Sequence, residues 1–258
     1  MLSAMVLAGC EVIGEGERLV PVSQPADTTD RTHVLIEFTG FRCVNCPNAA
    51  AAAEALHQTY GERLIIVAMH PASNPFTQGA AHYDYTCPEA DDYYRLLGGS
   101  ATTPFPTGNI NLTARGGSSL HDYPEWPTWL VQQMSEPTRV HLSVQAAGSG
   151  ADRITVTTTA YADAIATCRL VTWLVEDSIQ GAQAMPDGSV NTQYYHRHVL
   201  RGAAGSSEGE QLTLQRTPVT HTATLTLRED CDPKRCSVVV AVMDKENKII
   251  NARQTTIQ

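Results

Sequence analysis

The chain has 258 residues, 42% hydrophobic and 17% charged, enough to bury a real core and more than one domain usually needs, so two domains are expected. Its 18 Lys and Arg against 27 Asp and Glu leave a formal charge of -9, which argues against a sequence-independent grip on phosphates and makes nucleic acid an unexpected partner. No window reaches about 18 apolar residues, so no spanning helix is expected.

In chain order, the apolar stretch 2–9 ends in Leu7-Ala8-Gly9-Cys10, a small-residue site followed at once by polar residues. It resembles the lipobox at which bacterial lipoprotein precursors are cleaved and the cysteine lipidated. Residues 1–10 then read as a signal remnant, Cys10 as the lipidation site and the remainder as extracytoplasmic, held to a membrane by a lipid anchor. With Cys10 set aside, an even six cysteines remain, compatible with disulfides in an oxidising space. Residues 11–31, with Gly14, Gly16, Pro21 and Pro25, read as a tether.

A first domain is expected over 32–137. His33-Val34-Leu35-Ile36-Glu37-Phe38 is a nearly continuous apolar run, the pattern of a strand buried on both faces. The alanine tract in 48–57, followed by Gly61, predicts a helix with a glycine near its end. Residues 63–69 predict the next buried strand, so strand, helix and strand require a right-handed parallel crossover. Residues 70–101 read as an insertion with a helix at 89–97, Phe105-Pro106 precedes a strand-like segment, and 123–134 has helical spacing of Trp126, Trp129, Leu130 and Met134. Pro137 closes this part.

Over 138–258 the texture turns to period-two alternation, as in Val140, Leu142 and Val144. Further strands are expected at 154–158, 168–175, 194–200, 211–214, 223–227, 236–243 and 249–255, with 180–192 as an exposed loop. This pattern argues for an immunoglobulin-like β-sandwich. Cys231 and Cys236 enclose a turn-like Asp232-Pro233-Lys234-Arg235 and are expected to close it with a structural disulfide. His196 and His198 share one side of a strand, too few ligands for a metal, and read as a solvated or hydrogen-bonded strand face.

The chemistry centres on Cys43 and Cys46. A Cys-x-x-Cys pair at a helix start, after a buried strand, meets unpaired N–H groups and the positive end of the helix dipole, which favour the thiolate. Cys43 is then the expected nucleophile and Cys46 the resolving thiol. The other reading is a permanent disulfide stapling the helix start. Zinc is disfavoured because no second pair of ligands follows, and no dissociable cofactor is required. Glu37, six residues before Cys43, is either a buried acid that trades protons or a polar residue on a half-buried strand. Pro106 is expected to be cis.

These residues carry two resemblances. Val34 to Phe38, Cys43, Cys46 and Phe105-Pro106-Thr107 resemble the strand, active-site helix and cis-proline segment of thioredoxins, which implies proton transfer at Glu37 and substrate alignment at Phe105 and Pro106. The sequence Ile36-Glu37-Phe38-Thr39-Gly40-Phe41-Arg42-Cys43-Val44-Asn45-Cys46-Pro47, with Tyr195-His196-Arg197-His198-Val199-Leu200-Arg201, resembles the 28-kDa outer-membrane lipoprotein family of Bacteroidetes. That likeness implies an outer-membrane location and an α/β thioredoxin-like domain followed by an all-β immunoglobulin-like sandwich. Two functions are carried forward. One is a membrane-anchored thiol-disulfide oxidoreductase whose partners are protein thiols or disulfides of the cell envelope. The other is an outer-membrane surface binding or assembly lipoprotein whose Cys-x-x-Cys disulfide is structural.

Overall fold

The computed structural model describes residues 31–79 and 84–258. Cys10 and nearly all of the expected tether lie outside the described residues. Strands β1, His33–Phe38, and β2, Leu64–Met69, are buried along their whole lengths and pair in parallel, Val34 opposite Ile65 and Phe38 opposite Met69. Between them runs α1, Cys46–Tyr60. It begins ahead of the alanine tract because Pro47 presets the first turn, and it stops at Gly61, whose φ of 55° favours glycine. Its buried face is Cys46, Ala49, Ala53 and Leu56, small enough to lie close against the strands.

Helix α2 spans Pro88–Leu96, strand β3 spans Thr107–Ile110 antiparallel to β1, and α3 spans Trp126–Met134. Trp126, Trp129 and Leu130 cover Leu35, Leu64 and Ile66 on one sheet face. The rest is strand: β4 Val140–Gly148, β5 Arg153–Ala162, β6 Ala166–Glu176, β7 Ile179–Ala184, β8 Val190–His196, β9 Val199–Ala203, β10 Glu210–Leu214, β11 Val219–Thr226, β12 Cys236–Met243 and β13 Ile249–Thr256. Among the described residues no helix is long and apolar enough to cross a membrane.

The sheet topology corrects the expected fold class. A thioredoxin-like α/β domain followed by an immunoglobulin-like sandwich does not describe this chain. One eight-stranded mixed sheet runs β13-β12-β6-β9-β2-β1-β3, with β10 beside β9 on the edge of β6. Strands from both sides of residue 137 share it, and 43% of the described residues are strand against 20% helix. The cause is the open edge of β2. An unpaired apolar strand edge recruits any strand that reaches it. Here β9 does so, with the Ala68 N–H donating to the His198 carbonyl at 2.7 Å and Ala68 opposite Val199.

Alternation along β6 and β12 then builds two cores. Val171, Trp173, Val175, Val239 and Ala241 join Val34, Ile36, Phe38, Tyr93 and Tyr94 on one face. Leu170, Leu174, Val238, Val240 and Val242 pack on the other against the three-stranded sheet β11-β5-β4.

Two further expectations change. Residues 180–192 are not an exposed loop: most of them form β7 and the start of β8, a hairpin of its own. The strand expected over 194–200 is broken at His198, whose φ of 55° separates β8 from β9.

Candidate functional site

The sulfurs of Cys43 and Cys46 are joined, with Cα atoms 5.4 Å apart, and each residue is only 2% exposed. The turn before α1 sets this up: the Cys43 N–H donates to the Gly40 carbonyl at 3.0 Å, and Cys46 is the first residue of the helix. The β7–β8 hairpin lies over them. Gln183 is buried and its Nε2 donates to the Cys43 carbonyl at 2.8 Å, while the Ala184 N–H donates to the Phe41 carbonyl at 2.8 Å. Gln183→Ala therefore removes the side-chain hydrogen bond that ties the hairpin to the Cys43 carbonyl, at about 0.5–1.5 kcal/mol. We expect the Cys43–Cys46 bond to be reduced several-fold faster by dithiothreitol in this variant, measured by timed alkylation. An unchanged rate would show that the hairpin does not guard the bond.

A cavity of about 450 Å³ opens beside the disulfide, bounded by α1, β1, β2 and the hairpin; Glu37, Cys46, His70, Tyr194, His196 and His198 are among its lining residues. Glu37, on β1, is 3% exposed; burial pushes its carboxyl up to about 8, against a lowering hydrogen bond from Thr39. Its Oε1 has no hydrogen-bond partner among the described residues. His70, directly after β2, is 2% exposed, and neither ring nitrogen has a hydrogen-bond partner among the described residues. Burial, then the neighbouring His196 and Arg201, hold its imidazole well below the usual range, with Asp84 opposing. Burial likewise takes His196 down to about 4. These three groups are thus largely uncharged at pH 7.

Tyr85 packs against two of the wall residues, with its ring 4.3 Å from His196 and 5.2 Å from His70. A Cβ at Gly181 would collide with the Tyr85 hydroxyl, so this close approach of the hairpin needs glycine there. The His198 Nε2 lies 3.6 Å from the Glu54 carboxylate on α1.

Of the residues singled out in the sequence, Cys46 and Glu37 border the cavity and Cys43 lies under the hairpin. The Phe105-Pro106 peptide is cis and both residues are buried, but neither lines the cavity. Phe105 stacks on Phe76 at 5.9 Å and meets Tyr94 at 5.7 Å. Cys231 and Cys236 do not form the disulfide their spacing suggested: both are free, buried thiols with their sulfurs within 4.8 Å of one another. The pair lies where β12 pairs with β6, and with Glu176 it offers three ligand-type atoms within 4.8 Å of one another. For His196 the structure gives the hydrogen-bonded rather than the solvated face: it is 5% exposed, its Nε2 is 3.3 Å from the Ala182 carbonyl oxygen, and its ring is part of the cavity wall.

His70, Tyr85 and Gln183 were missed by sequence reasoning. His70-Pro71 at the carboxyl end of a parallel strand was the available signal, because open sheets place ligand crevices there. Gln183 carried none.

Residues 90–258 match the family described as Outer membrane protein Omp28. The chain belongs to the Omp28 family. As a member it is an outer-membrane protein of the cell envelope. Among solved structures, HBP35 of Porphyromonas gingivalis is 18% identical with a TM-score of 0.66, over 88% of this chain and 76% of that one. An Agrobacterium tumefaciens protein is 17% identical with a TM-score of 0.52, over 90% of this Omp28-family chain and 95% of that one. A domain of the outer membrane lipoprotein Omp28 from Porphyromonas gingivalis is 16% identical with a TM-score of 0.35, over 47% and 89%. At such identities the first two likenesses are of fold, and they extend across nearly the whole chain. No match is found among curated proteins.

Proposed function

We propose that this chain is a binding lipoprotein of the outer membrane, anchored through lipid on Cys10, whose cavity takes a compact ligand with hydrogen-bonding groups on an apolar or aromatic body. The observation that carries this reading is the contrast between the two sides of the disulfide. Both cysteines are only 2% exposed and a hairpin is hydrogen-bonded to the Cys43 carbonyl, an enclosure that works against attack on a protein disulfide. The adjoining cavity keeps Glu37 Oε1 and both His70 ring nitrogens without hydrogen-bond partners among the described residues. Leaving such groups unpaired costs about 1–3 kcal/mol each, a cost that a ligand offering complementary groups removes. About 450 Å³ lies within the usual range for small-molecule sites. In this reading Cys43–Cys46 is a staple that fixes the α1 wall.

The test uses Nile red, a neutral aromatic dye, with the full chain. One equivalent is expected to bind with a fluorescence gain, and Ala51→Trp, on the exposed cavity side of α1, is expected to abolish binding while the circular dichroism is unchanged. Equal binding by the variant would defeat the reading.

One observation favours a second reading. Cys46 borders the same cavity as Glu37, a carboxyl able to trade a proton near neutrality, which suits thiol-disulfide exchange with envelope thiols. Equilibration with glutathione buffers separates the two. A staple is expected below about −300 mV, an exchanging pair between about −270 and −120 mV.

A further inference from the structure

Away from the cavity, four elements converge on one buried point. Arg201 of β9, itself only 2% exposed, places its Nε 3.2 Å from Cys231 Sγ and 3.2 Å from Glu176 Oε2 at the end of β6. Cys236, the first residue of β12, pairs in register with Glu176. Glu176 Oε1 accepts the Asp232 N–H at 2.9 Å, whereas its Oε2, in ionic contact with Arg201, accepts no hydrogen bond.

A thiol among apolar groups stays protonated and inert. Cys87 and Cys168 fit that description: burial pushes their thiols up to about 12 and about 11. Cys231 is set apart by a permanent cation in contact with its sulfur and a second thiol beside it, and it lies below the usual thiol range, through the Cys236 hydrogen bond first and Arg201 after it. A divalent metal fits less well, because the guanidinium already sits against two of the three donor atoms.

We propose that Cys231 and Cys236 form a second dithiol–disulfide couple, with Cys231 as the attacking thiolate, Arg201 as its counter-ion and a low-molecular-weight disulfide as the oxidant. The Cys231 thiolate attacks one sulfur of the disulfide, whose S–S bond breaks and releases one thiolate that takes a proton from solvent. Cys236 passes its proton to the Glu176 carboxylate and attacks Cys231 Sγ, expelling the second thiolate, which takes up that proton. Two protein thiols are oxidised to one disulfide, and one small disulfide is reduced to two thiols. The couple stands independently of the ligand reading of the cavity.

The test treats the full chain with iodoacetamide from pH 5 to 9 and follows each cysteine peptide by mass spectrometry, before and after equilibration with reduced and oxidised glutathione. Cys231 is expected to alkylate at least ten-fold faster than Cys87 or Cys168 at pH 7, with a rate that levels off below the pH at which a free thiol does. Oxidised glutathione is expected to join Cys231 to Cys236 reversibly, and Cys236→Ser to hold Cys231 as a glutathione mixed disulfide. The proposal is overturned if Cys231 reacts no faster than Cys87, if the pair stays reduced under oxidised glutathione, or if the purified chain carries one equivalent of zinc that blocks alkylation.

Discussion

Arg201→Ala is expected to lower the stability of the fold by about 3–5 kcal/mol, the usual cost of stripping one partner from a buried ion pair. Arg201 is fully enclosed, and its polar contacts include Cys231, Glu176, the Asp84 carbonyl at 2.6 Å and the Asp230 carboxylate at 2.6 Å. Its removal strands Glu176, only 2% exposed, in a low-dielectric interior with no cation beside it. It also leaves residues 84–86, which place Tyr85 against His70 and His196, held by Arg228 at the Thr86 carbonyl without the bond to the Asp84 carbonyl. The double variant Arg201→Met with Glu176→Met removes both charges and keeps the volume, so it should regain much of the loss. Guanidinium denaturation read at constant m-value checks both. A loss below about 1 kcal/mol in the single variant, or a double variant no better than the single, would show that the ion pair does not carry this stability.

Glu37→Gln should change how stability depends on pH. The native carboxyl holds its proton to about 8, whereas the unfolded chain releases it near 4.5. Between those values the folded state binds more protons, so stability is lost as pH rises, by up to about 1.4 kcal/mol per unit and on the order of 4 kcal/mol in all. Glutamine mimics the protonated form. The variant should therefore match the parent at pH 4 and exceed it by most of that amount at pH 8.5.

The groups facing this carboxyl do not offset the effect. Thr39 hydrogen-bonds it, the Tyr194 hydroxyl is pushed up by burial and by Glu37, and His70 and His196 stay neutral. The two histidines act in the opposite window. Their stability contribution is full above 6.5 and is lost as pH falls, through about 4 for His196 and well below the usual imidazole range for His70, equally in both proteins. Parallel pH profiles for parent and variant would refute this account of Glu37. A wall residue kept at such a cost is what a functional cavity leads one to expect.

The sequence by itself determined the elements whose signals are local. The unbroken apolar runs of β1, β2 and β12, the alanine tract of α1 and the period-two alternation of β4 and β5 each reflect which faces are buried, and a few neighbouring residues suffice to read them. The motif around Cys43 and Cys46, with the signature at 195–201, likewise sufficed for the family and its place in the outer membrane. Only the tertiary structure decided what those elements pair with. The edge of β2 took β9 from far along the chain, which merged two expected units into one sheet. The β7–β8 hairpin, poor in large apolar residues, closed over the disulfide through Gln183 and backbone hydrogen bonds. His70, Tyr85 and His196 met ring against ring, and Arg201 met Cys231 and Glu176. Such meetings leave no periodic trace, because strand edges and buried charges choose partners by where the folded chain brings them, not by sequence spacing.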